Sequence, residues 1–334
     1  MRKALGALAL CAASFILTVG ATPRPIARFA HVFVIVEENH GFNDIIGSSH
    51  APQLNTLAKT YGLATRYYAV THPSQPNYVA LIGGYTFGIR DDHPHTIAGP
   101  NLATQLQSAH LSWKNYLESL PAPGSLAISA ADPKALDVSR GLHIYAAKHS
   151  GFLNYDSVRR DPHRASHIVG FDAFQADLRG GHAPNFSFVI PNLCNDMHGG
   201  GLLVLPHDCS VLHQTDLIER GDAHAASIVK EIMASSAWHG KENTAIVITW
   251  DEDDGGDKTS CCGTDPRDPA NAGGGHIATI VMTNHGPRHV SDATPYSHYS
   301  LLRTIEDVFG IRGHLQRAAA PGVVDMTPLF GKSK

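Results

Sequence analysis

The run Val32-Phe-Val-Ile-Val-Glu-Glu-Asn39 decides the fold: five apolar, mostly β-branched residues end abruptly in two carboxylates and an amide. Three later runs share its character: Phe186-Ser-Phe-Val-Ile190, Ala245-Ile-Val-Ile-Thr-Trp250 and Ile277-Ala-Thr-Ile-Val-Met282. None alternates strictly between apolar and polar, which is the pattern of strands buried on both faces of a mostly parallel sheet. Between them, residues 101–111, 222–237 and 298–309 place apolar side chains three and four apart, as amphipathic helices do. Asp222 and Ser297 have the character of N-caps, and Gly310 stands where a C-terminal glycine is expected. This alternation predicts an α/β protein with helices layered on a mostly parallel central sheet. No repeat or linker divides the chain, so residues 22–334 read as a single domain.

Polar clusters follow three of these strands directly: Glu37-Glu38-Asn39, Pro191-Asn-Leu-Cys-Asn-Asp-Met-His198 and Asp251-Glu252-Asp253-Asp254. Ligands of open α/β sheets bind beyond the C-terminal ends of strands, so three such clusters imply one shared site. Gathering Glu38, Asp251 and Glu252 at one edge crowds negative charge, which is costly unless a cation neutralises it. With Asn39 they form a hard-oxygen set suited to Mg²⁺, Ca²⁺ or Mn²⁺, and an added histidine would admit Zn²⁺ or iron. Asp253 and Asp254, just before Gly255-Gly256, read instead as solvated or turn-capping residues. In Thr71-His-Pro-Ser-Gln-Pro-Asn-Tyr78, two prolines stiffen the turn around Ser74, and Asn77 can offer its amide to an anionic oxygen. A serine beside a metal can be made nucleophilic. A G-x-S-x-G elbow, a phosphate P-loop and a dinucleotide fingerprint are absent.

Composition narrows the function classes. The 334 residues are 43% hydrophobic and 17% charged with a formal net charge of −4, which suits a chain with a sizeable core and excludes a disordered, collagenous or coiled-coil protein. No long Lys/Arg run is present, so nucleic acid is not an expected partner. The 22 histidines make the charge most variable between about pH 5 and 8. Met1-Arg-Lys3, an apolar stretch over residues 5–19 and Val19-Gly-Ala21 together have the form of a secretory signal cleaved after Ala21. The competing reading is an uncleaved anchor. Cleavage predicts a secreted or periplasmic protein with no transmembrane segment once the signal is removed. Cys11 would leave with it, and Cys194, Cys209, Cys261 and Cys262 would remain. Cys194 and Cys209 are the natural local pair; adjacent Cys261 and Cys262 either close a vicinal ring or stay reduced.

Five segments carry a family resemblance: Val36-Glu-Glu-Asn-His40, Thr71 to Tyr78, Ile190-Pro-Asn-Leu-Cys-Asn-Asp-Met-His198, Thr249-Trp-Asp-Glu-Asp-Asp254 and Ser297-His-Tyr-Ser-Leu-Leu-Arg-Thr-Ile-Glu306. In this order they resemble the successive signatures of the phosphoesterase family, which holds bacterial secreted acid phosphatases and phosphatidylcholine-preferring phospholipases C. The likeness is greatest to small secreted acid phosphatases, among them a mycobacterial phosphatidylinositol-3-phosphate phosphatase. The resemblance implies a three-layer α/β/α fold, alkaline-phosphatase-like, and hydrolysis of phosphate esters. It implies that Glu38 with Asn39, and Asp251 with Glu252, hold a divalent metal ion, and that Ser74 is the nucleophile. Asp196, His198, His276 and His298 fall in or near motifs that contact metal or substrate. His40 departs from the Arg or Lys more common there.

The expected function is a secreted, metal-dependent acid phosphatase acting on small-molecule or lipid phosphate esters through a phosphoserine. Ser74 would attack phosphorus, while His72 and Asn77 hold phosphoryl oxygens and Asp196 and His276 lie at the substrate. His198 or His298 would protonate the leaving alcohol. The alternatives are a phospholipase C, whose long C-terminal extension the chain lacks, and a secreted metal- or anion-binding protein without turnover, against which the Ser74–Asn77 pair argues. His31, His110, His143, His149, His163, His167 and His239 read as exposed or hydrogen-bonded structural histidines.

Overall fold

A computed structural model describes residues 25–131, 143–201 and 207–333, so the expected signal at residues 1–21 lies outside the described residues. The strands are β1 (His31–Glu37), β2 (Gly62–Tyr68), β3 (Trp113–Leu117), β4 (Ser129–Ala131), β5 (His143–Ala146), β6 (Ile168–Val169), β7 (Phe186–Ile190), β8 (Thr244–Trp250), β9 (His276–Thr283), β10 (Val290–Asp292) and β11 (Tyr296–Ser297). Among the described residues nine of them form one sheet in the order β10-β2-β9-β8-β1-β7-β3-β6, with β11 beside β2, while β4 and β5 pair separately. The sheet is mixed but mostly parallel. β1 lies at its centre and runs parallel to β8 on one side and β7 on the other. β9 departs from the parallel expectation and runs antiparallel to both β8 and β2.

Residues Val32 to Val36 are wholly buried because helices cover both faces of the sheet. Their branched side chains suit the pleat, and truncating one to alanine would cost about 2–4 kcal/mol. The helices Pro52–Thr60, Phe171–Gly180 and Gln214–Met233 pack as one group, and Ser74–Gly83, Leu102–Ser108 and His298–Phe309 as another. Ser297 and Ser300 form a capping box at the last helix, which Gly310 ends in the left-handed region at φ +67°. Asn101 caps Leu102–Ser108 through the Thr104 N–H.

Asp222 plays a different part from the expected N-cap. Its helix starts at Gln214, two turns earlier, and ends at Met233 rather than at residue 237. The buried Asp222 carboxylate accepts from Gln53 N at 3.2 Å and Leu54 N at 2.7 Å, capping the neighbouring helix from outside. It satisfies orphan N–H groups of another segment, which a local reading cannot detect. Disulfides join Cys194 to Cys209 and Cys261 to Cys262, the second being the vicinal ring. No helix among the described residues is long and apolar enough to cross a membrane.

Candidate active site

Because β8, β1 and β7 are adjacent and parallel, their C-terminal ends bring Asp251-Glu252, Glu38-Asn39 and the Pro191–His198 loop together. Ser74 arrives from the sheet's flank, as the first residue of the helix Ser74–Gly83, all ten residues of which are buried. Gly83 is obligatory there, since a Cβ would lie 1.8 Å from Tyr155 Oη. The Ser74 hydroxyl lies 3.0 Å from Glu38 Oε2, 3.1 Å from Glu252 Oε1 and 3.5 Å from Asn39 Oδ1. Asp251 joins through its Oδ1, which accepts the Asn39 N–H at 3.3 Å. Three of the four proposed metal-binding residues therefore surround one hydroxyl, and the fourth, Asp251, is tied to them through Asn39.

Charge at this edge is concentrated and buried. Burial, then repulsion from Glu38 and Glu252, holds the Asp251 carboxyl well above the usual range. Burial and Glu38 do the same to Asp196, and burial is the leading cause at Glu252. Asp251 Oδ2 and both oxygens of Glu37 are buried without hydrogen bonds. The set of carboxylate, amide and hydroxyl oxygens fits a hard divalent cation by chemistry and charge. Its convergence is on Ser74 Oγ: among the described residues no three His, Cys, Asp or Glu side chains surround a common metal-sized centre.

The second oxygen of Glu38 has its own partners. Tyr78 donates its hydroxyl to Oε1 at 2.6 Å, and His149 Nε2 stands 3.2 Å from the same atom. His149 also approaches Asp196 Oδ2 at 3.5 Å and stacks on Tyr78 with ring centroids 5.0 Å apart. Burial holds this imidazole well below its ordinary value. His149 is thus no isolated structural histidine. Nothing in its sequence neighbourhood marks it, since its partners lie far along the chain.

Several expected substrate groups have other duties. Asn77 receives the N–H groups of Val70 and Thr71 on Oδ1 and donates to the Thr71 and Pro73 carbonyls, so its amide builds the turn and is not free for an anion. His72 points Nδ1 at Glu252 Oε2 (2.6 Å) and Nε2 at the Asp257 carbonyl (3.0 Å). Burial opposes its protonation, yet the bond to Glu252 and the neighbouring acceptors push it up to about 8. It is a cationic anchor of Glu252, with both nitrogens engaged.

His298 is buried, with Nε2 2.7 Å from the Asp251 carbonyl and Nδ1 3.2 Å from the Tyr67 hydroxyl. Burial lowers it to about 4, which favours the neutral form, and both ring nitrogens are already engaged, at the Asp251 carbonyl and the Tyr67 hydroxyl. His276 sits at the start of β9, stacked on Phe42 at 4.4 Å with Nε2 on the Thr65 carbonyl at 3.0 Å, outside the Ser74 cluster. Asp196 lies within the cluster; its Oδ1 accepts the His198 N–H and its carbonyl accepts the Glu38 N–H. His198 is partly exposed on a cavity of about 520 Å³ that also contacts Asn39, His40, Met197, Val211 and Ile218. Asp253 caps the following turn, accepting from Gly255 N and Asp257 N, and Asp254 accepts from Gly256 N.

The pattern of the phosphoesterase family matches residues 48–312. The chain is 32% identical over 333 residues to a phosphatidylinositol-3-phosphatase of Mycobacterium tuberculosis, covering 97% of this chain and 94% of that one. It is 26% identical to an acid phosphatase of Aspergillus fumigatus, covering 85% of this chain but only 55% of the longer fungal protein. In fold it is similar to an alkaline phosphatase superfamily protein from Vibrio parahaemolyticus, with a TM-score of 0.54 and 12% identity over 92% of this chain and 71% of the other.

Proposed function

The chain belongs to the phosphoesterase family and is a phosphoric ester hydrolase with phosphatase function; from that premise we propose that it is a secreted, metal-dependent acid phosphatase working through a phosphoserine. One observation carries the reading: a buried serine hydroxyl, at the start of a buried helix, bonds carboxylates from two different strand ends. A binding protein has no use for that arrangement. Glu38, Asn39, Asp251 and Glu252 would hold a divalent cation (Mg²⁺, Ca²⁺, Mn²⁺ or Zn²⁺), whose charge would favour the Ser74 alkoxide and polarise a phosphoryl oxygen.

The Ser74 proton passes to Glu38 Oε2 or Glu252 Oε1, the two carboxylates it already bonds. Oγ attacks phosphorus in line; the Oγ–P bond forms as the bond to the leaving alcohol breaks. His198, on the cavity beside Asn39, gives that alcohol its proton. Water then opens the phosphoserine, releasing phosphate and restoring the hydroxyl. The positive end of the helix Ser74–Gly83 supports the anionic transition state. Tyr78, His149 and His72 hold Glu38 and Glu252 in place. Two disulfides suit an oxidising compartment, in support of export. The name of the mycobacterial relative supports a phosphoinositide among the substrates.

The deciding experiment is hydrolysis of p-nitrophenyl phosphate between about pH 5 and 8 by wild type, Ser74→Ala and chelator-treated protein. Turnover should vanish in the second and third. Full activity in Ser74→Ala would refute the nucleophile, and indifference to chelator would refute the metal.

A further inference from the structure

We propose that the cleft beside Gln75 binds a second anionic group carried by the alcohol half of the substrate; the inference rests on the phosphatase reading above. Gln75 follows Ser74 directly and Lys148 directly precedes His149, and both Ser74 and His149 touch Glu38, at 3.0 and 3.2 Å. The cleft, of about 200 Å³, therefore adjoins the reacting centre through two of its own lining residues. Arg159, His95, Leu126 and Ile128 line it as well.

Its chemistry is the reverse of the carboxylate cluster. Lys148 Nζ lies 2.7 Å from Asp92 Oδ2, and Asp92 Oδ1 accepts the Gln75 backbone N–H at 3.0 Å. Arg159 donates through Nη1 to the Leu153 carbonyl at 3.2 Å and makes no ion pair among the described residues. Among the lining residues two fixed cations stand with one carboxylate; Lys148 is also attracted by Glu38 and Asp251, so Arg159 is the cation left to an anion in the cleft. Gln75 is 1% exposed; its Nε2 donates to Asn154 Oδ1 at 2.6 Å, and its Oε1 is buried with no hydrogen bond. A ligand hydroxyl would satisfy that acceptor. Leu126 and Ile128, 40% and 64% exposed, supply an apolar wall at solvent. The occupant is a hydroxylated alcohol with a second phosphate-like group, either free or as the headgroup of a lipid whose apolar part covers Leu126 and Ile128.

The test compares kcat/KM for fructose 1,6-bisphosphate and fructose 6-phosphate, with divalent metal supplied, in wild type, Arg159→Gln and Lys148→Gln. Wild type should prefer the bisphosphate about tenfold, the scale of one charge-assisted hydrogen bond, and each variant should bring that ratio towards one. If neither sugar phosphate turns over, the ratio is read from their inhibition constants against p-nitrophenyl phosphate. Arg159→Lys replaces Arg159→Gln should the latter not fold, and should retain part of the preference. Phosphatidylinositol 3-phosphate in phosphatidylcholine vesicles separates the sources: Ile128→Asp slows vesicle hydrolysis for a lipid headgroup and leaves it unchanged for a free ligand. No preference in wild type, or an unaltered ratio in folded Arg159→Gln, overturns the proposal. Activity surviving in Ser74→Ala strikes instead at the nucleophile, with the bisphosphate ratio still measurable.

Discussion

Two flanks of Ser74 treat charge in opposite ways. Towards the strand ends, Glu38, Asp251, Glu252 and Asp196 are nearly or wholly buried and repel one another. One residue along the helix, Gln75 borders a cleft whose charged residues, Lys148, Arg159 and Asp92, remain in partial contact with water. Solvated ions of mixed sign cost a fold little, whereas buried like charges cost it several kcal/mol. The first flank is therefore unfavourable to the bare fold and is suited to a cation, while the second is an inexpensive electrostatic preference for an anion.

The comparison can be broken in order of expected effect. Ser74→Ala should lower kcat for p-nitrophenyl phosphate by about 10³-fold or more, as loss of a nucleophile does elsewhere; a loss under tenfold would make the acidic flank a mere binding site. Asp251→Asn should cut activity about 10²-fold yet raise the melting temperature of chelator-treated protein by a few degrees, because the amide cannot take the ionised form that burial and the neighbouring carboxylates disfavour. Calorimetry with and without metal separates the two effects, and a lower melting temperature without metal would contradict the account of the flank. Tyr78→Phe removes the hydroxyl from Glu38 Oε1 and should reduce kcat/KM by about tenfold, with a weaker metal-titration midpoint.

The smallest effect is a control outside both flanks. Glu306 is buried, and burial pushes its carboxyl up to about 7, against the bond from the Leu315 N–H. A raised folded pKa stabilises the protonated form. That stability is complete below the ordinary value of 4.5 and is lost as pH rises through about 7. Melting temperature of wild type should fall across this window relative to Glu306→Gln, and parallel curves for the two would refute the assignment.

How far the sequence revealed this differs by element. β1, β7 and β8 were legible because uninterrupted Val and Ile mark strands covered on both faces. β2 was not, because Gly62-Leu-Ala-Thr-Arg-Tyr-Tyr68 is half-buried and its pairing with β9 shifts register between Ala64 and Tyr67. The meeting of Glu38-Asn39 with Asp251-Glu252 followed from strand order alone. The duties of Asn77, His72 and His298 did not, because the same donors can serve backbone, carboxylate or ligand, and only their neighbours decide which. His149 and Asp222 failed for one reason: each acts on a segment more than a hundred residues away.

The helix that carries Ser74 has a consequence for inheritance as much as for chemistry. With all ten of its positions in the interior and no room at Gly83 for even a methyl group, it has no face on which substitution is free. In a library of random single variants it should be one of the longest stretches of near-total intolerance, whereas Leu126 and Ile128 could vary widely. The proposed nucleophile should therefore tolerate little change around it, leaving any drift in substrate preference to the surface nearby.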